Sequence, residues 1–471
     1  MAIFFLTITI LFLLIMLSIT LYHFFIGIIG ARAIKKDIGK EKIEHKPKNS
    51  FALIVSAHNE EVVIGNLVDS FNQIDYPKAL YDVYVIADNC TDSTAKVARR
   101  HGANVYERFN KDKRGKGYAL EWMFDKLFKM KKKYDAIAIF DADNLVHKDF
   151  LTKINNKMCE GYEVVQCFID TKNAKDSWVT ESCEASLAST ARRLQYGRDR
   201  LGLSAQLGGT GFALSTEILK KLGWGATCLT EDLEFSCKLV LNNKKIGVAD
   251  DALIYDEKPL EFNDSWKQRK RWMQGFADVA SRYAIPLFKK AIKERSMVAF
   301  DCAMYVIQPF ITAIFGLSLP FVIFIFMIIN SSREFINNYI FFDGLWAFIC
   351  IAEVGFVGFM LIKDKTNIKR GTGALVLFLI IAFLQPFFVV NLSILGQTAL
   401  LTMFNLIYGA IYFGLAVQIL GTETKSEVIR ALGSMVYVVS WIPITIIGIA
   451  NKDNKEWSHT KHVRQLGIYE M

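Results

Sequence analysis

Cysteine in metal-binding spacing is missing from this sequence. Its eight cysteines (Cys90, Cys159, Cys167, Cys183, Cys228, Cys237, Cys302 and Cys350) form no C-x-x-C pair. Scattered thiols of this kind fit a reducing compartment and exclude a zinc ribbon or a disulfide framework. Histidine is scarce, and the one close pair is His459 and His462, near the C-terminal end. The P-loop spacing G-x-x-x-x-G-K-[ST] is absent. So is a G-x-G-x-x-G between strand and helix, which leaves the P-loop and dinucleotide-binding folds unsupported. Helix-turn-helix and zinc-finger spacings are lacking and the basic residues are spread out, so nucleic acid is not an expected partner. The apolar run at 2–30 has no small-residue cleavage site, which argues against a signal peptide.

What is present is apolar sequence in two blocks around a polar middle. Of 471 residues, 52% are hydrophobic and 36 are Phe, too apolar for a wholly soluble chain, while 22% are charged, too many for an all-membrane one. Residues 1–32 read as one transmembrane helix, with Arg32, Lys35 and Lys36 marking its cytoplasmic end. Residues 33–282 read as a cytosolic domain and 283–298, which mixes Lys with apolar residues, as an interfacial amphipathic helix. Apolar runs near 299–330, 344–362, 372–395, 397–420 and 428–450 read as transmembrane or interfacial helices, followed by a basic cytosolic tail at 451–471. If all five runs cross, that tail lies outside, against its charge. The run 428–450, with Pro443, is therefore expected to be interfacial or re-entrant. The net charge of +9 has a sufficient explanation in the cytoplasmic flanks of such helices.

Within the middle, FALIVSA (51–57), YDVYVIAD (81–88), YDAIAIFD (134–141) and YEVVQCFID (162–170) are short, β-branched runs. Helical patterns at 61–73 and 92–101 lie between them. This alternation predicts an α/β domain with a mostly parallel sheet, in which ligands bind at the carboxyl ends of the strands. The residues at those ends become candidates: His58, Asn59, Glu60, Asp88 and Asp141. Asp141 and Asp143 of IFDADN share one face of an extended backbone and suit a hard cation with the diphosphate it carries, or else a turn. Asp88 suits a ribose or base edge, while Asp92 suits a helix N-cap. Asn59 and Glu60 suit nucleotide contacts, or equally a cap and first turn. Lys116 in KRGKGYAL (113–120) can reach a phosphate. In LTEDLEFS (229–236) the choice is between capping by Thr230 with acidic residues in the first turn and a carboxylate, Glu231 or Asp232, serving as general base. SWKQRKRWMQG (265–275) sets basic residues among two tryptophans, as a membrane border would.

Taken in order, an Asp after the second strand, D-x-D, T-E-D and Q-R-x-R-W ahead of a membrane region resemble the membrane-integrated family 2 glycosyltransferases. These include the cellulose, hyaluronan and poly-N-acetylglucosamine synthases. The resemblance spans about residues 50–282. It implies a GT-A nucleotide-sugar domain inserted between transmembrane helices of the plasma membrane, with the catalytic domain in the cytoplasm. It implies a UDP-sugar donor, Mg²⁺ or Mn²⁺ at Asp141 and Asp143, and Asp232 as base with Glu231 beside it. Asp88 would meet the uridine, and Arg269 and Arg271 the diphosphate. Gly209 and Thr210 of LGGTGFAL (207–214), with Gln268 and Trp272, would face the acceptor. The tail EWSHTKH (456–462) would return Trp457, Thr460 and His462 to the nucleotide. The F-x-V-T-x-K gating loop of bacterial cellulose synthase is absent, and the tail after 450 is too short for a cyclic-dinucleotide-binding domain. The function implied is inverting, processive synthesis of a β-linked polysaccharide with translocation, accessory subunits being admissible. The alternative is addition of single sugars to a membrane lipid.

Overall fold

The computed structural model describes residues 2–37, 44–184, 189–225, 228–329, 436–454, 462 and 464–470, as backbone alone over most of 2–20 and over 189–191, 312 and 315–329. The chain divides into two compact units. One joins residues 1–25 to 314–439; the other joins 26–313 to 440–471 and carries all the chemistry described below.

The elements run α1 (Ala2–Asp37), β1 (Phe51–Ala57), α2 (Ile64–Asn72), β2 (Tyr81–Asp88), α3 (Thr94–Arg100), β3 (Asn104–Arg108), α4 (Lys116–Lys129), β4 (Ala136–Asp141), β5 (Leu145–Val146) and α5 (Phe150–Cys159). They continue with β6 (Val164–Thr171), α6 (Trp178–Cys183), α7 (Ser189–Arg200), β7 (Phe212–Ser215), α8 (Thr216–Leu222), α9 (Glu231–Leu241), β8 (Ile246–Asp256), α10 (Phe262–Glu294), α11 (Met297–Ile329) and α12 (Trp441–Ala450). The strands form one sheet in the order β3-β2-β1-β4-β7-β6-β8-β5. The half that runs β3-β2-β1-β4 is parallel throughout. The other half is mixed, with β7 antiparallel to both β4 and β6, and β5 antiparallel to β8. Four of the seven strand pairings are parallel, in keeping with the mostly parallel sheet expected, and the antiparallel ones involve β7 and β5, short strands with no strand signature of their own in the sequence.

The alternating side chains of β1 explain why these runs fold as central strands. Phe51, Leu53 and Val55 enter one core with α2 and α5, while Ala52 and Ile54 enter a second core with α4 and α9. Phe71 of α2 and Phe140 of β4 meet edge-to-face at 4.9 Å and are both fully buried. Each such ring contributes on the order of 2–3 kcal/mol by leaving water. Two-sided burial fixes the register, and the register decides the site. Ser56 pairs with Asp141, Ala57 with Ala87 and Asp88 with Arg108. The polar residues that follow the apolar runs therefore emerge together at one end of the sheet.

The stretch expected as a separate interfacial helix, 283–298, forms the second half of α10 and the first residues of α11, with Arg295 in a left-handed conformation between them. The runs at 344–362, 372–395 and 397–420 lie outside the described residues. Among the described residues no helix is long and apolar enough to cross a membrane.

Two glycines set how closely α10 is packed. A Cβ on Gly275 would stand 2.4 Å from Thr230 Oγ1, and one on Gly448 would stand 2.5 Å from Met273 Cβ. The first contact lays α10 against the start of α9. Gly275→Ala should therefore destabilise the fold by about 1–3 kcal/mol through overpacking, read as a lower midpoint in a circular-dichroism melt. An unchanged midpoint would mean that the two helices separate without cost.

Candidate active site

The end of β4 and the start of α9 place four carboxylates near one another, and cations from elsewhere in the chain hold them there. Lys116, in the first turn of α4, forms an ion pair with Asp141 at 2.5 Å and donates to the Gly209 carbonyl at 2.6 Å. Burial alone would lower the Lys116 pKa, but Asp141, Glu231 and Asp232 outweigh it and the pKa is raised. Burial also lowers the Arg271 pKa, against the pull of Glu231, Asp141 and Asp232, so the Arg271 guanidinium faces the same three carboxylates. Burial pushes Glu231 up to about 7, and raises Asp232 as well despite its first-turn backbone contacts. Gly209 has φ +84°, and a Cβ there would stand 3.5 Å from Asp232 Oδ2. Glycine thus lets the 207–211 loop pass close to Asp232, where other residues would be strained.

Asp143 has different company. Its carboxylate accepts the Glu257 N–H at 3.2 Å and stands 3.6 Å from His462 Nε2. His462 Nδ1 meets Glu60 at 3.0 Å. Burial would lower the imidazole pKa, but Asp143 and Glu60 outweigh it and hold it well above its ordinary value. Burial in turn pushes the Asp143 carboxyl up, with His462 opposing. Lys172 pairs with Glu257 at 2.9 Å and donates to the Asp143 carbonyl at 2.9 Å. Asp141 lies within electrostatic reach of both groups, so the two halves of the cluster are contiguous.

Asp88 is buried and ion-paired with Arg108 at 2.5 Å, while Asn89 donates to it at 3.0 Å. Arg108 escapes the sequence reading; recognising NVYER (104–108) as the strand beside β2 would have found it. Asn59 has φ +56° and its side chain accepts the Thr91 N–H at 2.8 Å, tying the loop after β1 to the loop after β2. The Glu60 N–H donates to Thr94 Oγ1 at 2.8 Å. Asp92 accepts the Thr94 N–H at 3.0 Å, but Ser93 occupies the N-cap position of α3, so Asp92 stabilises the turn before the helix instead of capping it.

Three expectations are corrected. Arg269 does not join the acidic cluster: it is fully buried, donates to Ser440 Oγ at 2.8 Å and lies over the Trp441 ring at 5.2 Å. On a helix, two residues advance by about 200°, so Arg269 and Arg271 leave opposite faces. Thr230 precedes α9 without a side-chain capping bond, because its side chain is packed at Gly275. Thr210 is not open toward an acceptor: its hydroxyl bonds Asn144 and accepts the Asp141 N–H at 3.0 Å, which fixes the end of β4. Trp272 lies nearly parallel to Trp441, ring centroids 6.5 Å apart at 19°. Gln268 sits half-buried on α10. Trp457 and Thr460 lie outside the described residues.

The fold and the site define an α/β domain with a charged cluster at the carboxyl end of its parallel strands. Residues 47–275, just under half of the chain, match the family described as "Glycosyltransferase like family 2". Among curated proteins, the chain is 25% identical to the probable glycosyltransferase YdaM of Bacillus subtilis, over 69% of this chain and 75% of that protein. It is 27% identical to the beta-monoglucosyldiacylglycerol synthase of Synechocystis sp., over 49% of this chain and 48% of that protein. It is 24% identical to the poly-beta-1,6-N-acetyl-D-glucosamine synthase of Staphylococcus epidermidis, over 53% and 60%. The chain thus spans about half the length of the second of these relatives. Among solved structures, a mannosyltransferase from Pyrobaculum calidifontis in complex with GDP-Man and Mn²⁺ is similar at 18% identity and a TM-score of 0.42, covering 75% of this chain and all of that one.

The raised Glu231 carboxyl makes a prediction about stability. Between its ordinary value of 4.5 and about 7, the folded chain holds a proton that the unfolded chain has released. Its contribution therefore falls as pH rises through that window. Glu231→Gln should flatten the decline of the melting temperature between pH 5 and 8, measured with a chelator present. An unaltered slope would mean that Glu231 titrates normally.

Proposed function

We propose that this chain transfers a hexose from a UDP-sugar to a hydroxyl group delivered at the plasma membrane, in one inverting displacement on the cytoplasmic side. The observation that carries the reading is the gathering of Asp141, Glu231 and Asp232 around Lys116 and Arg271. Asp232 takes the proton from the acceptor hydroxyl as that oxygen attacks the anomeric carbon, and the nucleoside diphosphate departs toward Lys116 and Arg271. Arg271 offers a planar fork to the diphosphate oxygens. Preorganised donors of this kind act where charge develops, each worth about 3 kcal/mol. Asp88, ion-paired with Arg108, accepts from the base edge, and Asn59 keeps the neighbouring loop in place.

The donor set suits a nucleotide-borne Mg²⁺ or Mn²⁺. Such an ion takes one or two carboxylates and completes its shell with phosphate oxygens and water, so it does not require an all-protein cage, and among the described residues none of three or more ligands is found. Asp143, already facing a cationic imidazole, and Asp141 would hold it, and it would neutralise charge on the leaving diphosphate.

The acceptor in this reading is a lipid that receives single sugars. The similarity to a beta-monoglucosyldiacylglycerol synthase supports this choice. Processive synthesis and translocation of a β-linked glycan form the second reading, supported by the Q-R-x-R-W sequence and the similarity to a poly-N-acetylglucosamine synthase. Membrane insertion rests on the apolar runs of the sequence.

Asp232→Asn should lower kcat by about 10²–10⁴-fold, as expected for a missing general base, with UDP affinity nearly unchanged. Normal turnover would remove Asp232 from that role. Arg271→Ala should cost about 10²-fold in kcat. A donor panel read by UDP release and product mass separates a single glycolipid from a polymer ladder.

A further inference from the structure

Two buried polar side chains near Asp232 hold atoms that meet no hydrogen-bonding partner among the described residues. Arg198 of α7 is 1% exposed, and its Nε donates to Asp301 Oδ2 at 2.8 Å, yet its Nη1 and Nη2 are buried and unpartnered. Gln206 is 2% exposed, with both Nε2 and Oε1 in the same condition. Leaving such atoms unmet costs more than a typical hydrogen bond gains, so each calls for an explanation.

Their placement supplies one. The Gln206 N–H donates to Gln195 Oε1 at 2.9 Å, one turn before Arg198 on α7. The next residue, Leu207, donates its N–H to Ser236 Oγ at 3.1 Å, and Ser236 Oγ bonds the Asp232 carbonyl at 2.8 Å. Tyr305 of α11 lies under the Arg198 guanidinium, 5.2 Å from ring centroid to Cζ, and within electrostatic reach of Asp232. It packs against the cluster that contains Leu233. Segments α7, 203–207, α9 and α11 are thus linked to the proposed base through Leu207 and Ser236 on one side and Tyr305 on the other. None of these groups is among those around Lys116 and Arg271.

We propose that Arg198 and Gln206 form the acceptor head-group subsite, and that the acceptor carries a phosphate beside the hydroxyl that is glycosylated. Nη1 and Nη2 form a planar fork matched to two phosphate oxygens. Asp301 holds that fork from the Nε side. Gln206 offers one donor and one acceptor, which suits a neighbouring hydroxyl. The inference rests on the transfer reaction proposed above and names its acceptor class. The phosphate comes either from a lipid head group or from a soluble phosphate ester.

The test uses the full chain in mixed micelles with phosphatidylglycerol, diacylglycerol or glycerol 3-phosphate, following both calorimetric binding and sugar transfer. Binding of phosphatidylglycerol over diacylglycerol, with a kcat/KM preference of about tenfold or more, is expected, and glycerol 3-phosphate should compete if the phosphate alone is read. Arg198→Met/Asp301→Asn removes the ion pair without leaving a buried charge. It should raise the phosphatidylglycerol KM roughly tenfold to a hundredfold, erase the preference and leave the donor KM in place. Gln206→Met, similar in shape, should raise the acceptor KM without changing the melting temperature. Equal binding of the two lipids by the wild type, or unchanged phosphatidylglycerol affinity in both variants, overturns the subsite. If no donor yields UDP, the transfer reading fails by itself, and the binding measurement still decides the subsite.

Discussion

Carboxylates collected at one end of a sheet repel one another, and partial burial raises the cost of ionising each. Asp141, Asp143, Glu231 and Asp232 coexist because cations from distant parts of the sequence are brought to them: Lys116 from α4, Arg271 from α10 and His462 from the C-terminal tail. No one of these segments makes the cleft by itself. The compensation is incomplete at Glu231, whose carboxyl remains raised to about 7. In the proposed transfer, carboxylates and cations already interleaved would suit a ligand that has both an anionic diphosphate and a reacting hydroxyl. Such preorganisation is the usual source of electrostatic catalysis.

Helix α10 links this cleft to the rest of the chain through two faces. Gly275 and Arg282 look toward α9, the first against Thr230 and the second in an ion pair with Glu234 at 2.5 Å. Arg271 shares that face by helical spacing. Arg269 and Met273 look toward α12, where Arg269 bonds Ser440 and Met273 packs on Gly448. One arginine of the pair therefore faces the acidic cluster, and the other is buried against α12. Alternation of that kind lets a short basic motif hold two helices while presenting charge to a ligand.

Much of the fold was legible because central strands have a strong local signature. The runs 51–57 and 81–88 became β1 and β2 with the boundaries read from their composition, and 134–141 and 162–170 became β4 and β6 within two residues. Continuous β-branched sequence between turn residues reflects burial on both faces, a local cause with a local trace. The strands β3, β7 and β8 left no such trace, being short, partly polar or interrupted. Their existence is decided by pairing with neighbours, and Arg108 was missed with β3. At the site, the helical period of QRKRW already contained the separation of Arg269 from Arg271, since residues two apart cannot share a face.

By itself the sequence determined which side chains stand at strand ends and helix starts, because polar residues that interrupt apolar runs must lie where the runs stop. It thereby identified Asp88, Asp141, Asp143, Glu231 and Asp232. Only the tertiary structure decided their partners. Arg108, Lys116, Arg271, Lys172 and His462 reach them across sequence separations as large as 319, that of Asp143 and His462. The physical reason is that Coulomb pairing depends on distance through space, and sheet register and helix packing set that distance, whereas periodicity in a sequence reports only the neighbours a few residues away.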